Sequence, residues 1–133
     1  HTTVGFELLA DVDHLHPDNN FIKMGMSVAL SHHERWDGTG YPHGVSGYDI
    51  PLSARIMSIA DVYDALSHQR CYKPAMSHEE SIKIVAEGSG KNFDPYLVEL
   101  FLDIEDQLIS ITRELNGPPV APEAVGASPP MNN

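Results

Sequence analysis

The chain has 133 residues, 41% of them hydrophobic, which is enough for one compact domain with a single core. Its formal net charge of −11 argues against a nucleic-acid polymer as partner, because phosphate backbones demand a basic surface. No apolar run reaches the length of a membrane span, since the richest, Phe21 to Leu30, is broken by Lys23 and Ser27.

The apolar spacing is helical nearly throughout. Val4, Leu8, Val12 and Leu15 recur at intervals of three and four residues, as one stripe of an amphipathic helix. A second helix is expected from about Asn19 to Glu34, with Ile22, Met26 and Ala29 on one face. Between Arg35 and Ile50 four glycines and a proline interrupt any period, so this stretch reads as a long ordered loop. Pro51 suits the first turn of a third helix carrying Ile56, Ile59, Val62, Tyr63 and Leu66. Ser77 and Glu80 form a capping box for a helix that stops at Gly88, and Asp94-Pro95 opens a last helix through Val98, Leu102, Leu108 and Ile111. From Asn116 onward five prolines and two glycines replace the large apolar residues, which predicts a flexible tail over 116–133 behind a domain of 1–115. No strand pattern stands out, so the fold class is all-α, a helical bundle.

A single cysteine, Cys71, cannot close an intrachain disulfide, which fits a reducing, cytoplasmic location. No basic segment followed by an apolar one marks a secretory signal. The chain opens on His1 without an initiator Met, as a piece of a longer protein would. Eight histidines call for an explanation by position. His14, His16, His43 and His78 fall near helix ends or in loops and read as surface residues, whereas Tyr63, Tyr72 and Phe101 suit core packing.

The sharpest run is His32-His33-Glu34 followed by Asp37-Gly38-Thr39-Gly40-Tyr41-Pro42. Adjacent histidines on a helix point roughly 100° apart, so each suits one of two neighbouring metal ions better than both suit one. Hydrolytic sites with two ions about 3.5–4 Å apart use such donors. The plainer alternative is a pair of exposed imidazoles favoured by the helix dipole. Asp61 and Asp64, three residues apart, share a face of the third helix with His68 one turn on. Carboxylates on an apolar helix need a cation or a salt bridge, and Arg55 or Arg70 is the alternative to a metal. Gly38 and Gly40 permit positive φ or close backbone approach, and Tyr41 offers a ring face and a hydroxyl. Arg70 and Lys73, two of eight cationic side chains, suit the phosphates of a small anionic ligand, or else are ordinary solvated cations.

The run from His32 to Pro42 resembles the signature of HD-GYP domains, metal-dependent phosphodiesterases of bacterial cyclic di-GMP. The likeness continues through Gly44, Gly47, Ile50-Pro51, Ala54-Arg55-Ile56, Asp61 to Leu66, Arg70, Tyr72-Lys73 and Phe93-Asp94-Pro95, covering His1 to about Leu115. It implies an HD-type helical bundle in which His1, His32, His33 and Asp61 ligate metal, and His32, His33 and Asp61 are central to catalysis. It further implies that Gly40, Tyr41, Pro42, Asp64, Arg70 and Lys73 face the dinucleotide, that the ions are iron or manganese in a set of two or three, and that the product is pGpG or GMP. Diguanylate cyclases and receiver domains are the protein partners it suggests. The family's His-Asp dyad and further upstream ligands would precede His1, so this stretch alone is expected to be inactive. The alternatives are a non-catalytic module that binds a cyclic dinucleotide or a protein, and a phosphohydrolase of another nucleotide. Proline often stands where this chain has Cys71, and His14 to Asn20 reads as a modest insertion.

Overall fold

A computed structural model describes residues 2–68 and 74–116. Six helices occur among them: α1 (Thr2–Leu15), α2 (Asn20–Ser31), α3 (Leu52–Ser67), α4 (His78–Glu87), α5 (Pro95–Asp103) and α6 (Glu105–Asn116). A short 3₁₀ turn, Gly47–Asp49, lies in the loop before α3. The fold is all-α, and no helix of the described residues is long and apolar enough to cross a membrane. The described residues fall into two compact units, the first ending at Asp103 and the second beginning at Ile104.

In the first unit α1 and α2 pair closely. A Cβ on Gly5 would sit 3.5 Å from the Ala29 methyl, and one on Gly25 would sit 3.4 Å from Leu9 Cδ1. Small residues at both points admit the neighbouring helix. The stripe of Val4, Leu8, Val12 and Leu15 therefore faces outward and is exposed along its length. Asn19 caps α2, its side-chain oxygen accepting from Phe21 N and Ile22 N, so the expected start is found. Helical geometry stops at Ser31 rather than Glu34, with His32 as the C-cap residue.

The core joins Ile59 and Tyr63 of α3, Val85 of α4, Phe93 of the α4–α5 link and Val98 of α5, with Phe101 edge-on to the Tyr63 ring. Phe93 enters it from a tight turn in which Gly88 O accepts from Phe93 N. A Cβ at Gly88 would lie 2.7 Å from the Phe93 ring, so that ring occupies the space a side chain would need. Ser77 Oγ accepts from Glu80 N as the capping box requires. His78, expected at the surface, is instead half-buried, with its Nδ1 2.8 Å from the Tyr63 hydroxyl. Asp94 Oδ1 caps α5 by accepting from Tyr96 N.

The single last helix expected from Pro95 to Ile111 is two helices divided at Ile104. The six-residue step from Leu102 to Leu108 already lacks the helical interval, and Glu105 and Asp106 restart a helix with acidic residues in its first turn. In the second unit α6 is amphipathic, with Leu108 half-buried and Ile111 and Leu115 exposed. His1, Arg70, Cys71, Tyr72, Lys73 and the expected tail from Gly117 lie outside the described residues.

Candidate active site

Where α2 ends, the chain turns and brings the His32 and His33 rings to 4.0 Å between centroids, tilted by 41°. The 100° divergence expected of helical neighbours does not apply, because neither residue lies within the helix. His32 Nδ1 is 2.7 Å from Val28 O. A carbonyl only accepts, so Nδ1 carries the proton, and in the neutral ring Nε2 holds the lone pair a metal needs. Burial and the adjacent His32 lower the pKa of His33, partly opposed by the Asp61 carboxylate. That direction favours the neutral ring, the form that ligates metal.

Asp61 projects from the middle of α3 toward this corner. It lines a cavity of about 180 Å³ together with His32, His33, Ser58, Asn92 and Phe93. Next to it an apolar groove of about 440 Å³ runs between α2 and α3 past Phe21, Met24 and Met57, with His32 and Asp61 at its polar end. Asp61 is exposed, as are Ile56 and Met57 on the same helix. Asp61 and Asp64 therefore both stand on a solvent-facing side of α3 and carry no burial cost that demands a cation. The salt bridge from Arg55 to Asp61 or Asp64 is also absent among the described residues, because Arg55 pairs with Asp94. Asp64 sits one turn beyond Asp61 and pairs with His68, Nδ1 to Oδ1 at 3.1 Å, with both side chains open to solvent.

The glycine-rich loop folds back on the histidine pair. Tyr41 N donates to His33 O, His43 N to Glu34 Oε1 and Gly47 N to Trp36 O, so the loop runs beside residues 33–36. On its other side Trp36 N and Asp37 N donate to Asn92 O and Lys91 O of the α4–α5 link. Gly38 adopts φ +83°, and Gly40 is the close approach: its Cβ would lie 2.4 Å from His33 O and 2.5 Å from Arg35 N. The Tyr41–Pro42 peptide is cis. The Tyr41 ring stacks on His33 at 5.0 Å and 21°, while Pro42 is exposed. The bond from Glu34 to the loop and the pairing of Arg55 with Asp94 are the roles that pattern reasoning passed over. The signal for Glu34 was a carboxylate wedged between a histidine pair and a glycine loop.

His32, His33 and Asp61 thus come together, with Tyr41 against His33. Two imidazoles and a carboxylate suit a divalent transition metal in kind. Among the described residues, however, no group of three His, Cys, Asp or Glu is close enough to hold an ion alone. His1, the further ligand suggested by resemblance, lies outside them.

The HD domain family matches residues 1–97. A cyclic di-GMP phosphodiesterase of Vibrio cholerae is 47% identical over 111 residues, covering 84% of this chain and 23% of that protein. A cyclic di-GMP phosphodiesterase of Thermotoga maritima is 38% identical over 113 residues, covering 85% of this chain and 29% of that protein. A crystal structure of a cyclic GMP-AMP specific phosphodiesterase of Vibrio cholerae superposes with a TM-score of 0.52 at 31% identity, covering 71% of this chain and 20% of that one. The chain therefore spans about a quarter of the length of the curated relatives it matches. With the histidine pair, the loop folded upon it and Asp61 falling inside the matched residues, the chain belongs to the HD domain family, in its HD-GYP branch.

Proposed function

We propose that this chain supplies part of the metal centre and the substrate-facing loop of a phosphodiesterase whose substrate is cyclic di-GMP. The observation that carries the reading is the convergence of His32, His33 and Asp61 on one cavity beside the Tyr41 loop. His1, His32, His33 and Asp61 are the ligands in this reading, for iron or manganese. Gly40, Tyr41, Pro42, Asp64, Arg70 and Lys73 face the dinucleotide. Bound divalent ions would supply Lewis acidity at phosphorus and activate water for attack.

The chain's own residues do the rest. Val28 O fixes the His32 ring so that Nε2 is the coordinating atom. Arg70 offers a fork and Lys73 a point charge to the phosphates. Water opens the cyclic ring at one phosphodiester to give linear pGpG, or GMP where the second phosphodiester is hydrolysed as well.

The test uses the full-length protein, stripped of metal and reloaded with manganese or ferrous iron, with cyclic di-GMP turnover measured before and after. Turnover should return with metal and fall at least 100-fold in His33→Ala and Asp61→Ala. Binding of cyclic di-GMP without turnover under either metal would assign the protein to a non-catalytic signalling role. The likeness to a cyclic GMP-AMP specific enzyme supports a second substrate, so 3′3′-cGAMP belongs in the same assay.

A further inference from the structure

We propose that Glu34 and Tyr41 are positioning residues for the His33 imidazole: the buried Glu34 carboxylate holds the 41–43 turn, and the turn holds the Tyr41 ring against His33. This rests on the assignment of His33 as a metal ligand.

Glu34 is 4% exposed, and among the described residues it forms no ion pair. Its Oε1 accepts from His43 N at 2.7 Å, while Oε2 is buried without a hydrogen-bond partner among those residues. A carboxylate desolvated on such terms lowers stability, so packing alone does not account for it. What it provides is a short, charge-assisted bond to one backbone N–H of the loop. That N–H is two residues beyond Tyr41, and Tyr41 N itself donates to His33 O at 3.3 Å. The tyrosine is thus gripped on both sides, once by a main-chain bond and once by the Glu34 side chain.

The ring so gripped is 52% exposed, with His33 against it at 5.0 Å and 21°. A half-exposed tyrosine makes a small contribution to a core, but a stacked ring restricts the plane of the imidazole beneath it. Histidine ligands depend on outer contacts that fix the ring, and losing one typically weakens metal binding 10–100-fold. His32 has its contact at Val28 O, and Tyr41 performs the corresponding service for His33 through the ring face. Gly40 makes the arrangement possible, because any side chain there would push the loop off His33 O.

The experiment titrates Mn²⁺ into the metal-free full-length protein and reads free Mn²⁺ by electron paramagnetic resonance, with no turnover involved. Tyr41→Ala and Glu34→Ala should each weaken binding about 10-fold. Tyr41→Phe keeps the ring and Glu34→Gln keeps an acceptor for His43 N, so both should bind as the parent does. The double alanine variant should be no weaker than the worse single one, because both changes undo one contact. If His33→Ala loses affinity while Tyr41→Ala retains it, the positioning role is overturned and the metal assignment stands. If His33→Ala itself binds normally, the metal assignment fails and this inference with it. Should Glu34→Ala fail to fold by circular dichroism, the Tyr41 pair decides: Phe like the parent with Ala weakened supports the role, and Ala like the parent refutes it.

Discussion

Arg55 Nη1 lies 2.7 Å from Asp94 Oδ2, with the two side chains only 13% and 3% exposed. Arg55 Nε also donates to Ile50 O, so this one guanidinium ties the end of the glycine loop, the start of α3 and the cap of α5 together. Breaking a buried pair by removing one partner strands the other charge and costs about 3–5 kcal/mol. Arg55→Ala should therefore lower the unfolding free energy by an amount in that range, read as a lower urea midpoint at an unchanged m-value. Asp94→Ala should cost at least as much, since it also removes the α5 cap. A loss below about 1 kcal/mol in both would mean that the pair is solvated in solution.

Gly38, Gly40 and Gly47 look equivalent in the sequence but differ in the fold. Gly47, at φ +57°, has open space where a Cβ would be, whereas a Cβ at Gly40 would collide with the backbone of residues 33–35. Gly47→Asn should be nearly neutral, because asparagine tolerates the left-handed region. Gly40→Ala should destabilise by about 1–3 kcal/mol, the range for overpacking. Parallel thermal denaturation of the two variants checks the order, and equal losses would contradict it.

Much of this architecture was legible in local patterns. Asn19, Ser77 and Asp94 start helices where their capping chemistry places them, and the glycine loop is a loop. What local pattern could not carry was partnership across the chain. Asp61 and Asp64 are the carboxylates near Arg55 in sequence, yet its partner is 39 residues away. The helical period gives no sign that α2 ends at Ser31, three residues before Glu34, and it is that early end that lets the His32 and His33 rings lie side by side. The outward stripe of α1 was visible as apolar spacing, but only Gly5 and Gly25 decide which face meets α2.

The turn at Asp37 provides a pH-dependent prediction. Thr39 Oγ1 donates to Asp37 Oδ1 at 2.6 Å and Thr39 N donates to the same atom at 3.0 Å, and these bonds hold the carboxyl below its ordinary pKa. Since the folded value is depressed, the turn gains its stabilisation above the unfolded value and loses it as pH falls through the folded one. Thr39→Ala removes the hydroxyl donor and should move the Asp37 titration upward, toward the usual carboxylate range. Carbon-13 NMR of the Asp37 carboxyl follows this directly. An unmoved titration would show that the hydroxyl bond does not set the pKa.

The last prediction concerns residues 1–133 expressed by themselves. Leu8 and Leu15 of α1 are 65% and 76% exposed, and Phe21 at the mouth of the apolar groove is 82% exposed. Val4 and Val12 continue the same stripe, so contiguous apolar surface runs along α1, and patches of this kind drive association. The described residues also fall short of three donors around one ion. This polypeptide should therefore bind manganese weakly, show negligible turnover of cyclic di-GMP and self-associate as concentration rises. Sedimentation should report a weight-average mass above the 14.6 kDa of one chain. Leu8→Lys together with Leu15→Lys should restore the monomer, because both side chains point to solvent and their loss leaves the Gly5–Ala29 contact intact. Turnover comparable to that of the full-length protein would show that His32, His33 and Asp61 need fewer companions than the donor count implies, and would overturn this account of the site.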